Sequence, residues 1–381
     1  MRTEIFMAER ILCVLGKLRA GGVESMMYSY YRVLDKSRWQ YDFVYEEGSE
    51  FDVPAELTAM GAGAYKVPSV SSPHKYIKAM KKLIRDGGYR IVHTNLNTLS
   101  LFSLWAAKCC GVKIRILHNH STSSGVEKKR DIIKKVLRPF NRMLTTHPCA
   151  CSEYAARWMY GDKAVDSGKI KVFPNGVDTE KFSYDQGFRN EIRREFNIEN
   201  NTVIGHIGRF NTQKNHKFLI DIFSEYHKID KNAYLLCVGG GELMDEIKEY
   251  ANKCGVADRV IFAGYRNADV QKFYSAFDIF VLPSLYEGLP VVAVEACAAG
   301  LPVLMSEHVT KEALITDRCE MLSINGENDA SAWAEHIKSA LGENDRAKTA
   351  AQMANGCFNI RNSAAELENY YAACAAELDR A

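Results

Sequence analysis

Short apolar runs alternate with helix-like segments along almost the whole chain, and this alternation limits the fold more than any other feature. Strands that are separated by helices pair in parallel, so the pattern predicts an α/β fold with parallel sheets covered by helices. The predicted strands are residues 11–15, 41–45, 91–93, 114–118 and 148–151 in the first half, and 203–208, 234–238, 260–263 and 279–282 in the second. The predicted helices are residues 24–34, 73–85, 99–110, 217–227, 243–252 and 271–277.

Length and composition indicate two soluble domains. The 381 residues suffice for two domains, and the 47% hydrophobic and 25% charged fractions are typical of globular proteins. The net charge of +2 gives no general affinity for nucleic acid. No apolar run is long enough to span a membrane. The first residues, with Glu4 and Glu9, predict a lead-in to a strand rather than a signal peptide.

The cysteines favour a cytoplasmic protein. Eleven are present and none forms a C-x-x-C pair. We therefore expect buried thiols in a reducing compartment, with neither a disulfide nor a metal site, and we expect no cofactor.

Residues 280–304 combine a strand, a tight loop, a helix and a second strand. Gly288 breaks the strand pattern, and Pro290 suits the first position of a helix because its missing N–H would be unpaired there. Two carboxylates lie on this unit, Glu287 in the loop and Glu295 about one turn into the helix. Both can face a pocket at the helix N-terminus, where free N–H groups favour a phosphate. The alternative is an ordinary strand–helix crossover with surface glutamates.

This segment resembles the E-x7-E signature of retaining GT-B glycosyltransferases of family 4. The match includes E-G-x-P from Glu287, an alanine after Glu295 and G-x-P-V from Gly300. The resemblance implies two Rossmann-like domains that face each other across a cleft. It also implies transfer of a sugar from a nucleotide-diphosphate donor with retention of anomeric configuration. We expect a UDP-sugar rather than a GDP-sugar, and a glycan or lipid-linked acceptor in surface polysaccharide synthesis.

Arg209 and Lys214 match the G-R-x-x-x-x-K motif of the same family. A diphosphate leaving group gains negative charge as the glycosidic bond breaks, and a guanidinium and an ammonium can neutralise it. The resemblance implies that these two residues hold the diphosphate, that Glu295 binds the ribose and that Glu287 binds sugar hydroxyls. A covalent nucleophile role for Glu287 is the alternative to front-face attack assisted by the leaving phosphate. Backbone at the helix start is expected to assist, at Gly288, Leu289, Pro290 and Val291.

Three further loops resemble donor-binding segments of the family. Gly21 and Gly22 resemble its G-G-x-E loop, which lies against the donor diphosphate and sugar. Gly239 lies in a V-G-x-G loop near the nucleotide, and Tyr265 and Arg266 follow the next strand, where the family's backbone borders the base. Arg266 is a candidate to stack on that base. The alternatives are ordinary loop glycines at Gly21 and Gly22, and packing of a strand against a helix at Gly239.

His118 and His120 end the fifth predicted strand, and parallel sheets bind ligands at the carboxyl ends of their strands. In related enzymes a histidine here contacts the donor sugar. We expect the two rings to point to different sides, so that only one faces the sugar, and we select His118. A hydrogen-bonded turn histidine is the alternative. We expect no cysteine or carboxylate nearby to complete a metal site.

Turn-forming residues from Pro174 to Gly176 indicate a domain boundary, and they resemble the family's P-N-G-V-D linker. We predict an acceptor-side domain over residues 1–172 and a nucleotide-sugar donor domain over residues 173–360. The resemblance implies that a C-terminal helix over residues 361–381 packs back toward the first domain.

The segment from Lys128 to Arg142 predicts a helix with an apolar stripe and basic residues around the rest of its surface. One interpretation is a solvated basic face on a domain helix. The other is a helix on anionic lipid, which would place the protein at the inner face of the cell membrane. Pro139 is expected to kink or split the helix.

Metal-independent transfer is predicted because the sequence contains no D-x-D motif, and Mg²⁺ usually takes a carboxylate as well as substrate phosphates. A hydrolysing nucleotide-sugar epimerase on a similar scaffold is the main alternative. A Rossmann oxidoreductase is disfavoured because its G-x-G-x-x-G fingerprint is missing. A catalytically dead binding subunit is disfavoured by the intact set of Arg209, Lys214, Glu287 and Glu295.

Overall fold

The computed structural model describes residues 8–19, 22–120, 128–266, 268–342 and 346–380, with the backbone alone for residues 128–131. The chain divides into two compact units. Unit 1 consists of Met1–Gly176 with Ile360–Ala381, and unit 2 of Val177–Asn359. Each unit is built on one parallel sheet, which confirms the predicted α/β class with two Rossmann-like sheets.

The sheet of unit 1 has seven strands: β1 Glu9–Val14, β2 Trp39–Glu46, β3 Gly63–Val67, β4 Ile91–Thr94, β5 Ile114–Asn119, β6 His147–Ala150 and β7 Lys171–Val172. Their order is β3-β2-β1-β4-β5-β6-β7, and neighbours are parallel. Its helices include α1 Gly22–Val33, α2 Ala55–Ala59, α3 Pro73–Gly87, α4 Ser100–Cys109, α5 Lys128–Leu144, α6 Glu153–Tyr160 and α7 Asp162–Asp166.

Both faces of this sheet are buried. Along β1, Ile11 and Cys13 enter one hydrophobic cluster, whereas Leu12 and Val14 enter another. Strands that are buried on both faces have continuous apolar runs in their sequence, which is why these strands could be predicted. The edge strand β3 was not predicted, because three of its five residues are exposed.

Helix α5 runs without interruption through Pro139, so of the two expected effects, a kink or a split, the split is wrong. The missing N–H frees the carbonyl of Lys135 one turn earlier. Pro139 and Lys135 are both exposed, and water can reach that carbonyl.

Unit 2 has six strands: β8 Val203–Ile207, β9 Tyr234–Val238, β10 Val260–Phe262, β11 Ile279–Leu282, β12 Val303–Ser306 and β13 Cys319–Leu322. Its helices are α8 Gln186–Glu195, α9 His216–Ile229, α10 Met244–Lys253, α11 Val270–Ala276, α12 Val291–Ala298, α13 Asp329–Leu341 and α14 Arg346–Asn355 among the described residues. The strand order is β10-β9-β8-β11-β12-β13. The order reverses between β8 and β11, which is where open α/β sheets form a ligand crevice at the carboxyl ends of their strands.

Asp278, just before β11, connects helix α8 to the sheet of unit 2. Its carboxylate accepts hydrogen bonds from Arg189 Nη2 and Arg193 Nη2, each at 2.7 Å. It also accepts one from the backbone N–H of Val203 at 2.8 Å. This largely buried cluster fixes the start of the two central strands.

The last helix, α15 Ile360–Asp379, belongs to unit 1. Leu367, Tyr371 and Cys374 are buried in the same cluster as β1 and α1. The hydroxyl groups of Tyr371 and Tyr41 are 2.7 Å apart. Among the described residues, none of the helices combines the length and apolar character that crossing a bilayer requires.

Candidate functional site

The loops that follow β8 and β11 are bonded to each other at the crevice of unit 2. The backbone N–H of Leu285 donates to Gln213 O at 2.8 Å, and Gln213 Nε2 donates to Tyr286 O at 3.1 Å. Asn215 Nδ2 donates to Pro283 O at 3.2 Å. These bonds hold the two loops as one surface.

Lys214 and Glu287 form an ion pair across this surface. Lys214 Nζ lies 2.6 Å from Glu287 Oε1, and the side chains are only 15% and 12% exposed. Ser284 Oγ donates to the same carboxylate oxygen at 3.2 Å. The turn that carries the lysine is capped by Asn211 Oδ1, which accepts from the N–H of Lys214 at 3.2 Å. The structure therefore brings together two residues that the sequence places 73 positions apart.

Arg209 lies in the same loop and keeps an accessible guanidinium. Its side chain is 40% exposed, and Nε is 3.4 Å from Glu242 Oε2. An exposed ion pair of this kind contributes little to stability, so an anionic ligand can displace the glutamate at low cost.

Gly239 lies where the loops after β8, β9 and β10 meet. Its φ is +135°, and a Cβ built there would be 2.1 Å from Gly208 O. Its N–H donates to Gly264 O at 2.9 Å. Only glycine fits this close approach of two backbones, so packing alone is sufficient to require glycine at this position.

Tyr265 and Arg266, after β10, have different surroundings. The Tyr265 side chain is 55% exposed, and its hydroxyl donates to Gly240 O at 3.3 Å. The Arg266 guanidinium is 2.5 Å from both Glu195 and Asp269 and lies over the Phe273 ring. The arginine is thus engaged by carboxylates of unit 2, and the exposed tyrosine ring is the group available to a base.

Helix α12 begins at Val291, and Pro290 is its N-cap residue. The sequence had predicted Pro290 as the first helical residue, so the proline lies one position outside the helix. Leu289 is buried, whereas Gly288 is partly accessible beside Glu287. The helix is eight residues long and carries Glu295 in its second turn.

Glu295 is half-buried and held by a tyrosine of the preceding helix, α11. Tyr274, itself fully buried, donates its hydroxyl to Glu295 Oε2 at 2.5 Å. Burial raises the pKa of Glu295 to about 7, although the bond from Tyr274 and the charge of Lys181 act in the opposite direction. A carboxylate poised in this way can accept hydrogen bonds from a pair of hydroxyl groups.

Unit 2 therefore has Arg209 and the Lys214–Glu287 pair on the loops after β8 and β11, and Glu295 on the helix that follows β11. Cations and backbone N–H groups suit an anionic ligand, and the carboxylates suit hydroxyl groups. Sequence reasoning missed Tyr274 and Ser284, which orient the carboxylates, because nothing in their spacing marks them.

Of the two candidate glycines in unit 1, Gly21 lies outside the described residues, and Gly22 is the exposed first residue of α1. Glu24, two residues on, accepts a hydrogen bond from the N–H of Arg19 at 2.9 Å.

His118 and His120 point to the same side of β5, so the expectation that they point apart is wrong. Alternate residues of a strand share a face, and the two ring centroids are 4.2 Å apart. His118 is fully buried, whereas His120 is partly exposed, with Nε2 2.9 Å from Asn95 Oδ1. Of the two, His120 and not the selected His118 has surface that a sugar can reach.

Two family models match the chain. The model described as Glycosyltransferase Family 4 matches residues 20–181, and the model described as Glycosyl transferases group 1 matches residues 188–356. The two matches fall largely on unit 1 and unit 2 respectively.

Individual proteins extend these matches to most of the chain. A Bacillus subtilis (strain 168) protein named as a glycosyltransferase, EpsF, is 32% identical over 343 residues, which cover 87% of this chain and 88% of the relative. The UDP-Gal:alpha-D-GlcNAc-diphosphoundecaprenol alpha-1,3-galactosyltransferase of Escherichia coli is 28% identical over 75% of this chain and 76% of the relative.

Among solved structures, Anabaena HepE in complex with UDP and glucose superposes with a TM-score of 0.76. The match covers 95% of this chain and 99% of HepE at 17% identity, a level that shows a common fold.

Proposed function

The chain belongs to glycosyltransferase family 4 and is a glycosyltransferase of GT-B fold, and we propose that it transfers a hexosyl unit from a UDP-sugar with retention. The Escherichia coli relative is named for a UDP-Gal donor, and HepE was solved with UDP. The observation that carries the proposal is the Lys214–Glu287 pair at the crevice between β8 and β11.

The diphosphate is the group that the cations of this crevice recognise. Arg209 can leave the exposed Glu242 for a phosphate oxygen, and Lys214 can share its three N–H donors between Glu287 and the diphosphate. The N-terminus of α12 adds backbone N–H groups. These groups stabilise the charge that the leaving UDP gains in the transition state.

The carboxylates bind the neutral parts of the donor. Glu287 has a second oxygen free of the Lys214 bond for sugar hydroxyls, and Glu295 accepts the ribose hydroxyls while Tyr274 holds it. Tyr265 provides an exposed ring for the uracil base.

We assign retention to front-face attack, in which the leaving phosphate takes the proton of the acceptor hydroxyl. Glu287 is already paired with Lys214, which makes its carboxylate a weak nucleophile. The anomeric configuration of the product, measured by NMR on a UDP-α-sugar, tests retention: an α-linked product agrees with it, and a β-linked product overturns it.

Metal independence follows from the same charges, because Arg209 and Lys214 occupy the role that Mg²⁺ has elsewhere. Activity is expected to persist after EDTA treatment. Loss of activity with EDTA and recovery with Mg²⁺ would refute this part of the proposal.

The acceptor is a lipid-linked glycan of surface polysaccharide synthesis, presented at an anionic membrane. Helix α5 exposes a row of large apolar side chains at 50–63% accessibility among basic ones: Ile132, Ile133, Val136, Phe140 and Met143. Apolar area and basic residues together favour an anionic lipid surface. Binding to vesicles with anionic lipid, but not to neutral vesicles, is expected, and equal retention on both would remove this support.

An acceptor assay decides between transfer and the epimerase alternative, which the comparisons do not favour. Purified protein is incubated with UDP-glucose, UDP-galactose or UDP-N-acetylglucosamine, with and without an undecaprenyl-diphosphate-linked sugar. Acceptor-dependent release of UDP and a lengthened lipid-linked product support transfer. An epimerised sugar formed without acceptor would support the alternative.

A further inference from the structure

Three potential metal ligands lie together inside unit 1. His93 on β4, His118 on β5 and Cys149 on β6 come from three neighbouring strands and are all fully buried. His118 and Cys149 are paired in register. One ring nitrogen from each histidine and Cys149 Sγ lie within 4.8 Å of one another.

The imidazole nitrogens of this cluster lack hydrogen-bond partners. Both Nδ1 and Nε2 of His118 are buried without a partner, and so is Nε2 of His93. Each unsatisfied buried polar atom costs about 1–3 kcal/mol. A hydrophobic core gains nothing from a histidine in that state, so these atoms point to a ligand.

Tyr371 of α15 orients one of the rings. Its hydroxyl is 2.6 Å from His93 Nδ1, which leaves Nε2 as the nitrogen of that ring without a hydrogen-bond partner. Metal-bound histidines almost always have their second nitrogen hydrogen-bonded in this manner.

We propose that unit 1 binds one zinc-like divalent ion through His93, His118 and Cys149. Two imidazoles and a thiolate suit Zn²⁺, whereas Mg²⁺ prefers oxygen ligands. Zinc replaces the thiol proton, which is released to solvent, and forms a Zn–S bond. This assignment revises the expectation that no cysteine near His118 completes a metal site.

The ion requires a small closure of the cluster. Ligand atoms around tetrahedral zinc are about 3.5 Å apart, so the most distant pair here moves inward by about 1 Å. One coordination position remains for a fourth group. Because the three ligands are buried on separate strands, the ion ties β4, β5 and β6 together and acts in stability, not in sugar transfer.

Cobalt binding to the full-length protein tests the site. The protein is stripped of metal with a chelator, dialysed and titrated with Co²⁺, while absorption reports thiolate-to-cobalt charge transfer; Zn²⁺ is then added in competition. One equivalent of Co²⁺ with charge transfer, displaced by Zn²⁺ and unaffected by Mg²⁺, is expected.

Matched variants identify the ligands. Cys149→Ser removes the charge-transfer band, whereas Cys237→Ser, which changes a buried strand cysteine of unit 2, keeps it. Tyr371→Phe keeps the band but weakens affinity by about 10- to 100-fold. Circular dichroism of each variant shows whether it folds. Absence of stoichiometric cobalt binding by the folded wild-type protein, or an unchanged band in folded Cys149→Ser, overturns the proposal.

Discussion

The Lys214 ammonium lies 2.6 Å from Glu287 Oε1, and this pair joins the two loops that leave the sheet of unit 2 at its crevice. Both side chains are largely buried, so each holds the other in position before a donor arrives. The pair connects the folding pattern of unit 2 with the chemistry that we propose for it.

Replacement of the lysine tests its role with the diphosphate. Lys214→Met is expected to lower kcat/KM for the UDP-sugar by about 100- to 1,000-fold, because one preorganised cation is lost from the leaving group. Lys217→Met is the control, since that lysine is exposed and paired with the exposed Glu246. Similar activity in both variants would separate Lys214 from the reaction.

Tyr274 should act through Glu295. Tyr274→Phe removes the 2.5 Å bond but keeps the ring, and UDP affinity is expected to fall by about 10-fold, as for one lost hydrogen bond to a charged group. Tyr250→Phe also removes a tyrosine–carboxylate bond in unit 2, to Asp221, and should leave UDP affinity unchanged. Calorimetry on the two variants measures the difference, and equal affinities would contradict the positioning role.

The pH dependence of UDP binding follows from Glu295. Burial raises its pKa to about 7, so the ligand-free carboxyl gains a proton as pH falls from 8 to 6. The ionised form accepts the ribose hydroxyls, and UDP affinity should therefore decrease over that interval. Glu295→Gln should show weaker binding with little pH dependence. A wild-type affinity that is flat from pH 6 to 8 would be inconsistent with this role.

The pH dependence of stability is a second test of the raised pKa of Glu295. A carboxyl whose pKa is raised on folding stabilises the fold fully below its ordinary pKa, and this contribution is lost as pH rises through about 7. Glu295→Gln should therefore raise Tm relative to wild type at pH 8 more than at pH 5.

Much of the candidate site in unit 2 could be predicted because the residues that indicate it are close together in the sequence. Glu287, Gly288 and Pro290 occur together where a strand turns into a helix. Residue type and spacing made them candidates, and the resemblance to family 4 selected them. Tyr274 could not be found in this way, because its contact with Glu295 joins two helices and depends on packing.

For two other site predictions, the structure shows partners or neighbours that are distant in sequence. Arg266 was a candidate for the base, but Glu195, 71 residues earlier, holds its guanidinium. His118 was selected for the sugar, yet its side chain is fully buried beside His93 of β4 and Cys149 of β6. Strand neighbours of this kind follow from topology, which the sequence pattern indicates only in outline.

Asp278 is expected to contribute strongly to the stability of unit 2. Burial opposes its charge, but Arg193 and Arg189 outweigh that effect and lower its pKa. Asp278→Asn leaves Arg193, only 4% exposed, without its counter-ion, and should cost about 3–5 kcal/mol of unfolding free energy. Asp258→Asn, at an exposed carboxylate, should cost little.

The loss of stability in acid tests the same ion pairs, those of Asp278 with Arg189 and Arg193. A carboxylate with a lowered pKa stabilises the fold above its ordinary pKa, and this contribution disappears as pH falls through the lowered value. The stability difference between wild type and Asp278→Asn, measured by denaturant unfolding, should thus shrink below about pH 4. A difference that is constant with pH would contradict this assignment.

Nucleotide binding tests the central claim most directly. Calorimetry with UDP, GDP and ADP, without added metal, compares wild type with Glu295→Ala and with the exposed-site control Asp258→Asn. We predict selective binding of UDP by wild type and the control, and at least about 10-fold weaker binding by Glu295→Ala. Absence of binding to all three nucleotides, or equal UDP affinity in Glu295→Ala, would contradict a donor site at the crevice of unit 2.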